Sequence, residues 1–289
     1  TYPDVFVGGS LKVYDRALRG ELYLEKGYYA KAAEHLENAI GNANVRGYKL
    51  NSHQQEDWKE IHMYAMTQDR EVMTAVPFSY EDIQENPLAD LFYPNRNYLL
   101  KPSESVVQLF ESQLTKRDET GDHFRGNRIS YLRFSPDSLL AVNKYSIDLI
   151  EASGSDIIIY RATHIHLLLA EAYNRMGKHN EALSILNDGL KTLPGWSGSK
   201  GVRGRVYLKA IDLPAGDYTH AIEDLIMDER AMELAFEGQR WFDLVRVANR
   251  RGESYLADRV AAKYSDPNLA ASVHAKLMDK NNWYLPFRK

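Results

Sequence analysis

The stretch Asp228-Glu-Arg-Ala-Met-Glu-Leu-Ala-Phe-Glu-Gly-Gln-Arg-Trp-Phe-Asp-Leu-Val-Arg246 decides how this chain is read. It has the pattern of two helices broken at Gly238. Glu229, Glu233 and Glu237 recur at every fourth position, so on a helix they stack along one side. Like charges at that spacing repel by ~0.2–0.5 kcal/mol per pair. Cations opposite would offset the repulsion, and Arg230, Arg240 and Arg246 are the near candidates. Leu234 and Phe236 supply apolar packing to the first helix. Trp241, Leu244, Val245 and Ala248 then follow the spacing of a second buried stripe. Physics alone reads a helix–turn–helix corner pinned by ion pairs.

Two segments elsewhere share one pattern of small and large residues, that of tetratricopeptide helix pairs. The first holds Gly20, Tyr23, Gly27, Ala32, Leu36 and Ala39. The second holds Ala170, Tyr173, Gly177, Ala182, Leu186, Gly189 and Pro194. Gly27 and Gly177 fall at the turns, and Tyr23 and Tyr173 at packing positions. The insertion between the pairs has another texture. Trp58, Tyr64, Phe78, Tyr80, Phe92, Tyr93 and Tyr98 make it denser in aromatics than the chain average of 11%. Pro77, Pro87 and Pro94 interrupt any long helix there. Tyr131–Phe134 and Ile157–Tyr160 are short apolar runs that suit strands. Helical signal returns over 218–251 and again over 260–277.

The sequence Glu229-Arg-x-x-Glu-Leu-Ala-Phe-Glu-Gly-x-Arg-Trp-Phe-Asp-Leu-x-Arg246 closely resembles the C-terminal hallmark of the SusD/RagB family, and Trp283-Tyr-Leu-Pro-Phe287 partly resembles a later signature of that family. The resemblance implies a surface lipoprotein of Bacteroidetes that captures oligosaccharides, or in some members peptides. It would deliver them to a SusC-like, TonB-dependent outer-membrane transporter without altering them. It implies an all-α fold: tetratricopeptide-like helix pairs forming a scaffold, with long irregular loop insertions. The expected plan is one domain over 1–289, the later part of a longer protein. Helix pairs lie at 8–42 and 160–194, a loop-rich insertion at 43–159 and the hallmark helices at 219–251. The expected location is the outer membrane, on the cell-surface side. The lipidated cysteine that would anchor the protein is not in this chain, which has no cysteine. In this reading Arg230, Glu237, Arg240, Trp241 and Asp243 belong to the scaffold.

Composition narrows the alternatives. The net charge of −4 argues against nucleic acid as the main partner. No apolar run approaches the ~20 residues of a membrane-spanning helix. The absence of cysteine removes thiolate metal sites and cysteine nucleophiles. Gly195-Trp-Ser-Gly198 begins like a nucleophile elbow, but Ser199 stands where the closing glycine belongs. The run Gly195–Lys200 lacks the span and order of a phosphate loop. His164 and His166, two apart, face different ways on a helix. Asp118, Glu119 and Asp122 read as a solvated acidic loop. The sequence therefore predicts no enzyme, no cofactor and no metal.

Sugars present C–H faces that pack on aromatic rings and hydroxyls that need polar partners. Phe92-Tyr-Pro-Asn-Arg-Asn-Tyr98 supplies both kinds of group in one proline-restrained loop. The expected ligand residues are accordingly Phe92, Tyr93, Asn95, Arg96, Asn97 and Tyr98, with Trp58 and Trp196 in second rank. The competing reading is that the rings fill core space beneath the loop. Two other classes of function compete with glycan capture. A peptide-binding tetratricopeptide adaptor would need consecutive repeats, and a helical glycoside hydrolase would need two carboxyls facing one cleft.

Overall fold

A computed structural model describes residues 15–41, 58, 61–62, 71–76, 78, 86–133, 139–146, 156–190 and 200–285. Helices α1 (Asp15–Glu25) and α2 (Tyr29–Gly41) form one antiparallel pair, and α5 (Ala162–Arg175) and α6 (His179–Asn187) form a second. Between them in sequence lie the short helices α3 (Pro87–Phe92) and α4 (Glu104–Glu111) and the strands β1 (Val72–Val76), β2 (Tyr131–Arg133), β3 (Leu140–Val142) and β4 (Ile157–Arg161). After them come α7 (Tyr218–Glu233), α8 (Arg240–Arg251), α9 (Ser254–Ala261) and α10 (Pro267–Leu277). The fold is an all-α scaffold with few, short strands among the described residues.

Each pair turns on a glycine held in the left-handed region, Gly27 at φ 76° and Gly177 at φ 77°. A side chain there would be strained, so glycine suits the tight connection. The two pairs are distant in sequence yet adjacent in space, because α2 packs along α5. Helix α5 is buried over its whole length from Ala162 to Asn174, with α2, α6 and α7 around it. A helix buried on all sides carries apolar and small residues all round. Ile165, Leu167, Leu168, Leu169, Ala170 and Ala172 do so here.

Strand β4 feeds directly into α5 and pairs antiparallel with β1, with irregular register between Val72 and Ala75. β2 and β3 make a second antiparallel pair, Tyr131 opposite Val142 and Arg133 opposite Leu140. Asp217 caps α7 by accepting from the Thr219 and His220 amides at 3.0 and 3.3 Å. The break between α7 and α8 spans Leu234–Gln239, wider than Gly238 alone. Phe236 at φ 66° and Gly238 at φ 80° both lie in the left-handed region. Trp241 donates its indole N–H to the Trp283 carbonyl at 3.2 Å, joining the hallmark to the end of the described chain.

Candidate functional site

The loop expected to carry the ligand begins at α3. Asn86 caps that helix by accepting from the Leu88 amide at 2.9 Å, and Pro87 occupies its first turn. The helix stops at Phe92 and the chain doubles back. The Arg96 amide donates to the Tyr93 carbonyl at 3.0 Å, and the Leu100 amide to the Leu91 carbonyl at 2.8 Å. These bonds make residues 93–100 a fixed loop lying on its own helix.

That folding sorts the loop's residues by type. Asn95, Arg96 and Asn97 are exposed at the tip, and Tyr98 is half-buried. Phe92 and Tyr93 are buried, with Tyr93 only 2% exposed. The expectation of exposed rings at these two positions is thus corrected. The Phe92 ring lies parallel to Tyr145, centroids 5.6 Å apart, and edge-on to Phe236 at 6.4 Å. The Tyr93 hydroxyl donates to the Tyr145 carbonyl at 2.9 Å. Long-range partners 52 and 144 residues away draw these rings inward, and local sequence could not name them. Tyr98, at φ 47°, donates its hydroxyl to the Leu140 carbonyl. Burial raises its phenol pKa, so it remains a donor.

Trp58, a second-rank ligand candidate, is 1% exposed and therefore packed inside. Its ring lies beneath two guanidinium groups, Arg205 at 4.6 Å and Arg161 at 5.6 Å from its centroid. Trp58, His62 and Tyr145 follow one another at 6.3 and 5.8 Å. With Phe92 and Phe236 they make a row of rings that joins the insertion to the α7–α8 corner. Among the described aromatics of the insertion's dense stretch, Trp58, Phe92 and Tyr93 lie inside, and Phe78 and Tyr98 are partly buried. Trp196 lies outside the described residues.

Beneath the rings runs a buried charge network centred on α7. The Glu229 carboxylate accepts from Arg125 at 2.6 Å and Arg203 at 3.0 Å. Glu233 accepts from Arg205 at 2.6 Å, Arg161 at 2.7 Å and Arg125 at 2.9 Å. Glu237 accepts from Lys144 at 2.5 Å and from Arg161 at 2.8 and 2.9 Å. Burial alone would raise the Glu233 carboxyl, but Arg205, Arg161 and Arg125 outweigh it and hold the pKa at about 2. Lys144 and Arg161 do a second job. They donate to the Glu233 carbonyl at 3.0 and 2.6 Å, and Lys144 to the Ala235 carbonyl at 3.0 Å. These are carbonyls a helix end leaves without partners, at the negative pole of the helix.

The cations that answer the glutamate stripe are therefore Arg125, Lys144, Arg161, Arg203 and Arg205, none of which the sequence reading singled out. Of the three arginines it proposed, Arg230 binds Asp243 at 2.8 Å. Arg246 binds Glu171, Asp243 and Glu25 at 2.8–3.0 Å. Arg240 donates to the Met227 carbonyl at 2.7 Å. A stripe of like charges announces that something positive faces it but not from where.

The acidic loop is corrected too. Asp118 and Glu119 are exposed, but Asp122 is buried and holds the Arg125 Nε at 2.6 Å. His164 and His166 are both buried, and burial depresses them to about 3 and 4. Among the described residues, no three histidine, aspartate or glutamate side chains stand together as a metal site would require.

A sequence profile for the SusD family matches residues 117–287. Among curated relatives, the SusD-like protein P38 of Formosa agariphila is 34% identical over 112 residues, a match covering 37% of this chain and 20% of that protein. Among solved structures, a SusD superfamily protein from Bacteroides vulgatus superposes with a TM-score of 0.64 at 16% identity, over 89% of this chain and 55% of its own. A SusD-like carbohydrate-binding protein from the same species gives 0.55 at 18%, over 80% and 44%. The matched region thus spans only part of the length of each.

Proposed function

The chain belongs to the SusD family, and we propose that it binds oligosaccharide without transforming it and hands it to a TonB-dependent transporter at the outer surface of the cell. The observation that carries the binding half is the tip Asn95-Arg96-Asn97. It presents two amides and a guanidinium on a loop whose backbone is pinned on both sides. A pinned backbone leaves only the side chains to be ordered on binding, which lowers the cost of capturing a ligand. Tyr98, half-buried beside the tip, offers the nearest partly exposed ring of the loop. A solved SusD-like neighbour with carbohydrate binding in its name supports the ligand class.

The cations around Glu171, Glu233 and Glu237 hold these three carboxylates low, so none of them suits the raised general acid of a glycosidase. Burial raises Asp122 and Asp228, and turnover is therefore tested directly. The test is a glycan array on the purified chain, followed by titration calorimetry with the glycan retained and a reducing-end assay on the same glycan. Retention with no sugar released is the expected result. Catalytic release of reducing ends would overturn it, as would an empty array.

A further inference from the structure

We propose that Tyr207 is a saccharide-stacking platform, a second contact surface separate from the 94–98 tip. It rests on the reading of the protein as a glycan binder. Through Arg203–Leu208 the chain buries Arg203, Arg205, Val206 and Leu208, leaves Gly204 partly covered, and turns only Tyr207 out to solvent, 50% exposed. Its ring lies on Phe124 with centroids 5.2 Å apart and planes 26° from parallel. Among the described aromatic residues at least half exposed — Tyr28, Tyr207, Phe242 and Tyr284 — only Tyr207 is stacked on another ring. One face is thereby supported and the other left for a ligand.

The backbone that holds the ring is fixed on both sides. The Lys116 amide donates to the Tyr207 carbonyl at 2.8 Å, and the Leu208 amide to the Arg203 carbonyl at 3.0 Å. The Val202 and Arg203 amides donate to the end of α6, at the Ile185 and Leu186 carbonyls. Gly204 approaches so closely that a Cβ there would fall 2.2 Å from the Asn187 carbonyl oxygen. Tyr207 itself sits at φ 59°, a conformation unfavourable for a bulky side chain. Asparagine or glycine would suit that backbone better, so the tyrosine is held there against its backbone preference. Exposed polar side chains flank Tyr207 along the chain and its paired strand: Lys116, which reaches the Gly204 carbonyl at 3.5 Å, and Lys209, paired with Asp118 at 2.6 Å. A ring supported on one face and open on the other suits a pyranose, whose C–H face stacks on it.

The test is native electrophoresis through gels containing starch, a mixed-linkage β-glucan, xylan or alginate, run beside thermal melts. The parent should be retarded by at least one polysaccharide. Tyr207→Asn should weaken that retardation about fivefold, the size of one lost aromatic contact. Its melting temperature should stay within ~2 °C of the parent or rise, because the substitution relieves the backbone. Tyr207→Phe should retain binding, and Tyr207→Gly should repeat the asparagine result on an independent backbone. A retarded parent with equally retarded Asn and Gly variants overturns the platform while leaving glycan binding intact. Variants that melt markedly lower yet bind undiminished make Tyr207 a packing residue and also overturn it. A parent retarded by none of the four, with an empty array, overturns the glycan reading and the platform with it.

Discussion

The α7–α8 corner and the 86–100 loop bury opposite kinds of side chain. In the corner Glu233, Arg230, Asp243 and Arg246 lie inside, while Phe242 stands 63% exposed. In the loop Phe92 and Tyr93 lie inside, while Asn95, Arg96 and Asn97 face water. Residue type therefore decides neither case. A charge can be buried when cations and backbone groups meet its oxygens, and a ring when other rings lie ready to receive it. The corner holds its charges in pairs within the scaffold, and the loop turns its polar groups to solvent.

The largest effect should come from breaking the corner. Arg161 binds Glu233, Glu237 and the Glu233 carbonyl and lies over Trp58. Arg161→Ala leaves two carboxylates and a helix end short of a donor. Loss of one partner from a buried ion pair costs ~3–5 kcal/mol, and melting should fall by about 10 °C. A variant that melts with the parent would make the network ornamental. Arg240 sharpens the point, since it donates to the Met227 carbonyl rather than to a carboxylate. Arg240→Ala should cost less than Arg161→Ala.

Next comes the ring side. Tyr93→Ala removes a buried ring and should cost ~3 kcal/mol, whereas Tyr93→Phe keeps the ring and removes the hydroxyl with its bond to the Tyr145 carbonyl, about 1 kcal/mol. Denaturant melts of the two variants would separate packing from hydrogen bonding. If Tyr93→Ala kept its stability and lost glycan affinity, the loop would be exposing its ring after all, and the contrast between the two regions would fail.

How far the sequence reached follows from the range over which each feature is decided. The corner was legible because helix periodicity is local: Leu244, Val245 and Ala248 are buried as their spacing selects, while Trp241 is only partly buried and Asp243, Arg246 and Val247 go inside with them. Tyr131–Arg133 and Ile157–Arg161 formed strands where short apolar runs stood. The all-α class and the family followed from the hallmark. What stayed hidden depends on distant partners. Nothing near Phe92 announces Tyr145 or Phe236, and nothing near Glu233 announces Arg125, 108 residues earlier. Tyr207 carried no local signal either, because its exposure comes from the burial of its neighbours.

Acid should reach both regions at once, through His62. This buried ring touches Glu237 at 3.3 Å and faces Trp58 and Tyr145, with Lys144 and Arg161 nearby. Burial, then Lys144, depresses its pKa from 6.5 to about 4, against the pull of Glu237. A group depressed in the folded state takes up its proton first in the unfolded chain. Its contribution is intact above pH 6.5 and lost as pH falls toward 4. Between pH 7 and 5.5 that loss is roughly 1 kcal/mol for this one histidine. His62→Gln should flatten the acid side of a stability–pH curve by about that amount. An unchanged slope would mean that His62 is charged, or exposed, in the folded protein.

The smallest effect on stability should accompany the clearest effect on binding. Arg96 is exposed at the loop tip. Surface substitutions of this kind usually stay within about 0.5 kcal/mol, so Arg96→Ala should melt with the parent. A hydrogen bond from a charged group to a ligand is worth ~1.5–3 kcal/mol, and losing it should weaken affinity by about tenfold or more. Asn95→Ala, which removes a neutral donor, should cost several-fold less than that. Calorimetry with the array-selected glycan, run on both variants and on Arg161→Ala refolded below its melting point, sets the two regions against each other. If the loop holds the ligand, Arg96→Ala loses affinity with stability intact, whereas folded Arg161→Ala keeps affinity with stability reduced. The reverse assignment would place the binding groups on the scaffold and leave the tip as mere covering for the rings beneath it.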